Sequence, residues 1–505
     1  MVSEVQATGN VLNVPSQYLT IQSAIDAAQN GDIVEIAAGT YNDVINFNGK
    51  MINVRGAGIN QTILDGGGIG TVVYAQSGET TDTILEGLTV TGGQGSAGPF
   101  SQPSGGGIYV ESSITIRNVL ITGNSSYWGG AISFFGSNST SILDNVVVTG
   151  NSGMGSVIQL DDYNNVLFKN SIISSNNAEG AIIGIWRSGA TFENVIIENN
   201  AVGNYGYLIN INFNNGLYDY PNLPVTIQNS IVRNNNVGNV ISSLFGYARI
   251  LINKSEFSGN VTSTGLFWPY RTFLEIHNST LSGNSNTINT DDTGSVYNAI
   301  FNLWALDSIE TDGYYLLMNN TIVWGNSSPS GVQLTFPSFG FNSPLPININ
   351  YNILQGGWAD PNSLGILDMD PLFVDSANGD YHLTLSSPAI DSGDPNSPLD
   401  PDGTRADMGA YPFFQVPTPS AQVEDLIDTV ESFNLQQGIN NSLDAKLDAA
   451  LNALDDLNEN NDQAAINSLQ AFINAVEAQR GSQITNEQAD ELVNRAQEII
   501  NTLSS

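Results

Sequence analysis

The chain has 505 residues, no cysteine, and 13 lysines and arginines against 49 aspartates and glutamates, for a formal net charge of -36. The acidity comes from missing cations, which argues against binding nucleic acid or anionic membranes, and no apolar run is long enough to span a bilayer. Abundant Asn, Gly, Ser and Thr with few charges suit a secreted or cell-surface β-rich protein, although the opening MVSEVQATGN lacks the charged-then-apolar pattern of a secretory signal.

Taken in chain order, the first predicted element is a helix over Thr20–Ala28. Ile21, Ala24, Ile25 and Ala28 fall on one stripe there, suited to capping the end of an array. From residue 118 a seven-residue phrase recurs. Asn118-Val-Leu-Ile-Thr-Gly-Asn124 returns at 145, 170, 194, 229, 254, 278 and 320, a period near 25 with insertions. Each copy carries a small or β-branched second residue and a large apolar fourth one, so the phrase reads as strand. A single short strand cannot bury its face alone. Stacked coils can, by pairing in parallel about 4.8 Å apart, and this predicts a parallel β-helix. Asparagine suits the corners because it tolerates left-handed backbone and its amide bonds to the next coil.

Half a coil before each phrase lies a second strand: GIYVE, AISFF, VIQLD, IIGIW and LININ, starting at Gly107, Ala131, Val157, Ile182 and Leu208. With their second and fourth positions inward, the outward ladder reads Tyr109 and Glu111, Ser133 and Phe135, Gln159 and Asp161, Gly184 and Trp186, Asn210 and Asn212. Asp162 and Arg187 follow one coil apart. Carboxylates, amides, an aromatic and a cation on one face form a mixture that binds sugars. Insertions add Tyr205, Tyr207, Tyr218 and Tyr220, then Phe267, Trp268, Tyr270 and Arg271, and flat rings stack on sugar rings. The alternative is an aromatic shell that packs loops onto the coils. The candidate glycan contacts are Glu111, Gln159, Asp161, Asp162, Trp186, Arg187, Asn210, Asn212, Trp268, Tyr270 and Arg271.

No catalytic set stands out. Arg187, Tyr270 and Arg271 could serve as a lyase base or charge partner. His277 and His382 sit where packing or turn roles are expected, and Asn289-Thr-Asp-Asp292 falls in a predicted loop. Glu111 and Asp161, two coils apart, would be about 9.6 Å from each other at strand spacing, near the upper limit for an inverting carboxylate pair, with Phe135 between them. Asp400, Asp402 and Asp407 alternate around a glycine turn as calcium ligands do, with no distal glutamate; the competing reading is a plain turn. The third position of the phrase (Leu120, Val147, Ile172, Ile196, Ile231, Glu256, Thr280, Ile322) should face outward. That exposes an apolar strip over its N-terminal half for an insertion, the helical tail or a second molecule to cover, unless the corner turns this row inside.

LTIQSAIDAAQNGDIVEIAAGTY with NFNGKMINVRGAG resembles the opening of secreted right-handed β-helix proteins of the pectate-lyase-like superfamily. DPLFVDSANGDYHLTLSSPAIDSGDP with DPDGTRADMGAYPF resembles the closing segment of bacterial surface proteins of its choice-of-anchor Q group. The resemblance spans residues 11–414 and implies an all-β right-handed parallel β-helix, a fold that hosts lyases, hydrolases, adhesins and tailspikes. Residues 415–421, QVPTPSA, read as a linker. Residues 422–505 hold 15 acidic and 3 basic residues and four amphipathic helical stretches, with a Thr485/Gln488 capping box; this tail resembles the FIMAH module of secreted bacterial hydrolases and adhesins. The expected function is binding of an extracellular polysaccharide or cell-surface glycan, or adhesion. The alternatives are a polysaccharide lyase or glycoside hydrolase, and a structural spacer or assembly subunit.

Overall fold

A computed structural model describes residues 9–97, 101–136, 138–203, 206–212, 223–245, 248–269, 272–287, 299–302, 316–329, 331–335, 347–415, 419–433, 435–454 and 462–503. The chain divides into two units, Met1–Phe413 and Phe414–Ser505.

The first unit is a right-handed parallel β-helix. Helix α1, Ile21–Ala27, stands at its N-terminal end, started by a Thr20/Ser23 capping box and burying Ile21, Ala24 and Ile25. Successive coils then contribute to the same parallel ladders. Among the described residues, one 11-stranded sheet carries Ile108–Val110, Ile132–Phe134, Ser156–Leu160, Ala181–Trp186 and Tyr207–Asn212 in succession. Also among the described residues, a 22-stranded sheet bends at the first residue of each repeated phrase, and a 7-stranded ladder of two-residue strands closes the remaining side.

The phrase folds as its residues dictate. Its first position is left-handed in every copy, with φ of 53° at Asn118, 55° at Asn145, 51° at Asn170 and 47° at Lys254. The sixth position is left-handed too, whether glycine (Gly123, φ 64°) or not (Ser175, φ 55°; Asn199, φ 55°). Its second and fourth positions form the buried column: Val119, Ile121, Val146, Val148, Ile173 and Ile197 are at most 1% exposed, in register from coil to coil. The seventh position builds an internal asparagine ladder. The amide Nδ2 of Asn124 donates to Asn151 Oδ1 at 3.1 Å, Asn151 to Asn176 at 3.1 Å, Asn176 to Asn200 at 3.1 Å, and so on to Asn326. Each Nδ2 also donates to backbone carbonyls, so these buried amides are paired.

The third-position row keeps its outward alternation. Leu120, Val147, Ile172, Ile196 and Ile231 are half-buried, whereas Glu256, Thr280 and Ile322 are buried. The reason is the closing segment, which folds back over them: the Tyr411 hydroxyl donates to Glu256, and the Ala410 amide donates to Thr280 Oγ1 at 3.0 Å. Among the described residues, contact therefore falls on the C-terminal half of the row, not on the N-terminal half that the apolar residues suggested. A polar row is the better receiver for a segment that arrives with a phenol and a free amide. Replacing Ile172 by aspartate is accordingly expected to leave the coil folded at a cost of about 1–2 kcal/mol, whereas Ile173→Asp should unfold it; thermal unfolding of the two variants compares them.

Among the described residues, the second unit has four helices: α2 (Pro419–Ser432), α3 (Gln437–Leu454), α4 (Asp462–Gln479) and α5 (Asn486–Leu503). Helix α2 begins inside the stretch expected to be linker. Each helix turns an apolar stripe to one core that includes Val423, Leu426, Leu447, Leu469, Phe472, Leu492 and Ala496. The α5 capping box forms as the sequence indicates, with Thr485 N bonded to Gln488 Oε1 at 3.1 Å and Gln488 N to Thr485 Oγ1 at 3.2 Å. Among the described residues, no helix is long and apolar enough to cross a membrane.

Candidate functional site

The outer face of the 11-stranded sheet has the composition expected of it. Strand pairing sets Tyr109, Ser133, Gln159, Gly184, Asn210, Ser242 and Trp268 in one row. Trp186 and Asn212 belong to the neighbouring row, level with Asp161, which follows Leu160. Trp268 thus joins the ladder as a strand residue of Phe267–Pro269 instead of arriving on a loop. Tyr270 and Arg271 lie outside the described residues, as do Tyr205, Tyr218, Tyr220 and the Asn289–Asp292 stretch.

The face is more enclosed than alternation alone implies. Tyr109 and Phe135 are 7% exposed and stack at 5.8 Å, and the Tyr109 hydroxyl donates to Glu111 Oε1 at 2.6 Å. Burial and then that carboxylate push the Tyr109 phenol well above its ordinary range. Gln159 points outward yet is 1% exposed, its Oε1 accepting from Ser156 Oγ at 2.9 Å. A Cβ on Gly184 would come within 2.4 Å of that Oε1, so the glycine makes room for the Gln159 amide in the floor of the face. Glu111 is exposed; Asn210, Asn212, Trp186 and Trp268 are half-buried.

At the strand ends Asp161, Asp162 and Arg187 converge. Asp161 is 0% exposed. Its Oδ1 accepts from Arg187 at 3.1 Å and from the Asp162 amide at 2.9 Å, while its Oδ2 is buried without a partner. Arg187 also pairs with Asp162, and its guanidinium lies 6.0 Å from the Tyr163 ring centroid. Desolvation outweighs Arg187 here and raises the Asp161 carboxyl to about 6. Asp162, Tyr163 and Arg187 all hold positive φ, 60°, 67° and 53°, an arrangement unfavourable for bulky residues. Asn210 Oδ1, Asn212 Oδ1 and Ser242 Oγ are likewise buried without hydrogen-bond partners.

Sequence reasoning missed Trp128. It lies against Gly155, where a Cβ would meet the indole at 2.4 Å, and it meets Trp186 edge to face at 5.2 Å two coils on. The signal was the glycine at 155, which clears the coil between the two indoles.

The aspartates of the closing segment serve a turn. Asp407 accepts the Asp391 amide at 2.7 Å and the Phe413 amide at 2.6 Å, Asp400 accepts the Asp407 amide at 2.7 Å, and Asp402 accepts from Thr404 Oγ1 at 2.8 Å. Among the described residues, no group of three or more His, Cys, Asp or Glu side chains is placed to hold a metal ion. His382, an exposed residue, bonds Asp380 at 2.7 Å and stacks on the Tyr411 ring.

Residues 423–501 match the FIMAH domain. No curated protein matches the chain significantly in sequence. Solved structures similar to it include pectate lyase Pel9A (16% identity over 77% of this chain and 90% of that one, TM-score 0.40). Also similar are carrot pectin methylesterase (13%, 61% and 91%, TM-score 0.36) and the A-module of the mannuronan C-5 epimerase AlgE6 of Azotobacter vinelandii (16%, 63% and 91%, TM-score 0.33). The β-helix itself rests on the strand pairing above, and these neighbours assign no activity.

Proposed function

We propose that the chain is an extracellular or cell-surface polysaccharide-binding or adhesion module, holding an elongated glycan along the coils on the outer face of the 11-stranded sheet. The observation that carries this reading is the set of unpartnered buried oxygens, Asp161 Oδ2, Asn210 Oδ1, Asn212 Oδ1 and Ser242 Oγ, gathered on one face beside Trp186 and Trp268. Buried polar atoms left unpaired cost about 1–3 kcal/mol each, and a sugar hydroxyl is a donor that recovers the loss. The indoles supply flat apolar surface for a pyranose ring.

Trp186→Ala and Trp268→Ala are expected to weaken retention on a polysaccharide panel in affinity electrophoresis by about tenfold, with little change in melting temperature. Equal binding by both variants removes the groove from consideration. The raised Asp161 carboxyl favours one further reading, a lyase or hydrolase in which it handles a proton. Reducing ends or unsaturated-product absorbance appearing in the same panel, and lost in Asp161→Asn, would establish it.

A further inference from the structure

We propose that the glycan recognised on this face is cationic, a polymer of amino sugars whose ammonium groups are met by Glu111, Asp161 and Asp162. The inference rests on the groove reading above and adds the chemistry of its ligand.

Charge is the first argument. Among the described residues, this end of the face holds three carboxylates, Glu111 and Asp162 at the surface and Asp161 buried beneath them, and one guanidinium, Arg187, which is already engaged with both Asp161 and Asp162. A uronate or sulfated sugar placed here would meet like charge with no cation left to receive it, whereas an ammonium would meet an excess of two negative charges. The whole chain acts in the same direction: at a net charge of -36 it attracts polycations and repels polyanions.

The second argument is independent of the charge count. Asp161 is 0% exposed and its Oδ2 has no hydrogen-bond partner. Ionised carboxylate oxygens closed off from water are held at a cost, and a charged N–H donor is the group that relieves it most fully. The aromatic rings around the carboxylates complete the environment. Tyr163 lies beneath Arg187, and Trp128 and Trp186 meet edge to face, so ring faces that attract cations stand next to the acids. A neutral sugar would use the stacking and leave the charge excess unanswered.

The test uses the full chain and two probes of one skeleton: a glucosamine hexamer and its fully N-acetylated counterpart, titrated calorimetrically slightly below neutral pH so that the amines are charged. The free-amine hexamer is expected to bind at least about tenfold tighter, to lose most of that advantage in Asp162→Asn and in Glu111→Gln, and to weaken as salt is raised. A tail variant such as Asp490→Asn should bind as the unmodified chain does. Equal or tighter binding of the acetylated hexamer, or of a polyuronate, overturns the amino-sugar assignment, and the groove still stands if Trp186→Ala abolishes that binding. Free-amine binding that survives both Asp162→Asn and Trp186→Ala is general attraction to an acidic chain and also overturns the assignment. No binding of any panel member sinks the groove reading and this inference together.

Discussion

Replacing Asn176 with alanine is expected to destabilise the β-helix by about 3–6 kcal/mol, enough to consume much of the stability of an ordinary domain. Asn176 is 1% exposed in the middle of the asparagine ladder. Its Nδ2 donates to Val148 O at 2.8 Å, Ser174 O at 3.0 Å and Asn200 Oδ1 at 3.1 Å, while its Oδ1 accepts from both the backbone amide and the Nδ2 of Asn151. Alanine removes one side chain and strands partners in two adjacent coils, each closed off from water. The outward corner gives the contrast. Asn170 sits at φ 51° with its amide on Asp144 at the surface, so Asn170→Gly should cost less than about 1 kcal/mol. Denaturant midpoints of the two variants decide the matter: similar losses would mean that the ladder contributes no more than the turn.

Asp161→Asn is expected to do the opposite, raising stability near pH 7.5 by about 1–3 kcal/mol while weakening glycan binding. The folded-state carboxyl is raised to about 6 by burial, from an unfolded value of 3.8. A raised carboxyl means that the folded state holds its proton more tightly than the unfolded state does. Between pH 4 and 6, then, the folded protein binds more protons, and stability rises as pH falls through that window. At neutral pH the ionised form is a burden of up to about 3 kcal/mol. Asparagine keeps an acceptor for the Asp162 amide and Arg187, places a neutral group where Oδ2 was, and leaves Arg187 its pair with Asp162. The variant should therefore melt higher at pH 7.5 and show a flatter rise in melting temperature on acidification. What remains of that rise belongs largely to Asp407, likewise raised to about 6 by its burial. A loss of stability in Asp161→Asn would make the Asp161–Arg187 pair a structural tie, since breaking a needed buried pair costs about 3–5 kcal/mol, and would take from the groove its principal anchor.

These two residues also mark how far sequence reasoning reaches. Asn176 was legible because its signal repeats: asparagines returning at one period, flanked by alternating apolar residues, specify a stacked coil wherever they occur. The same alternation sets Gln159 opposite Gly184 and Asn210, and Asp161 level with Trp186. The four helices of the tail were legible too, from apolar stripes and the Thr485/Gln488 box. All of these are local features, read within one turn of helix or one step of a repeat, and so the sequence by itself determined the fold, the register and which side chains face outward. It did not determine which outward side chains stay wet. Gln159 and Asp161 face out and are buried, Trp128 reaches Trp186 across a coil cleared by Gly155, and Tyr411 seals Glu256 from 155 residues away. Those facts depend on segments distant in the chain that meet only when the coils are stacked, and no periodicity encodes them. Tertiary structure alone therefore decided the desolvation that raises Asp161 and leaves its second oxygen without a partner, and this property is what makes the face a candidate site.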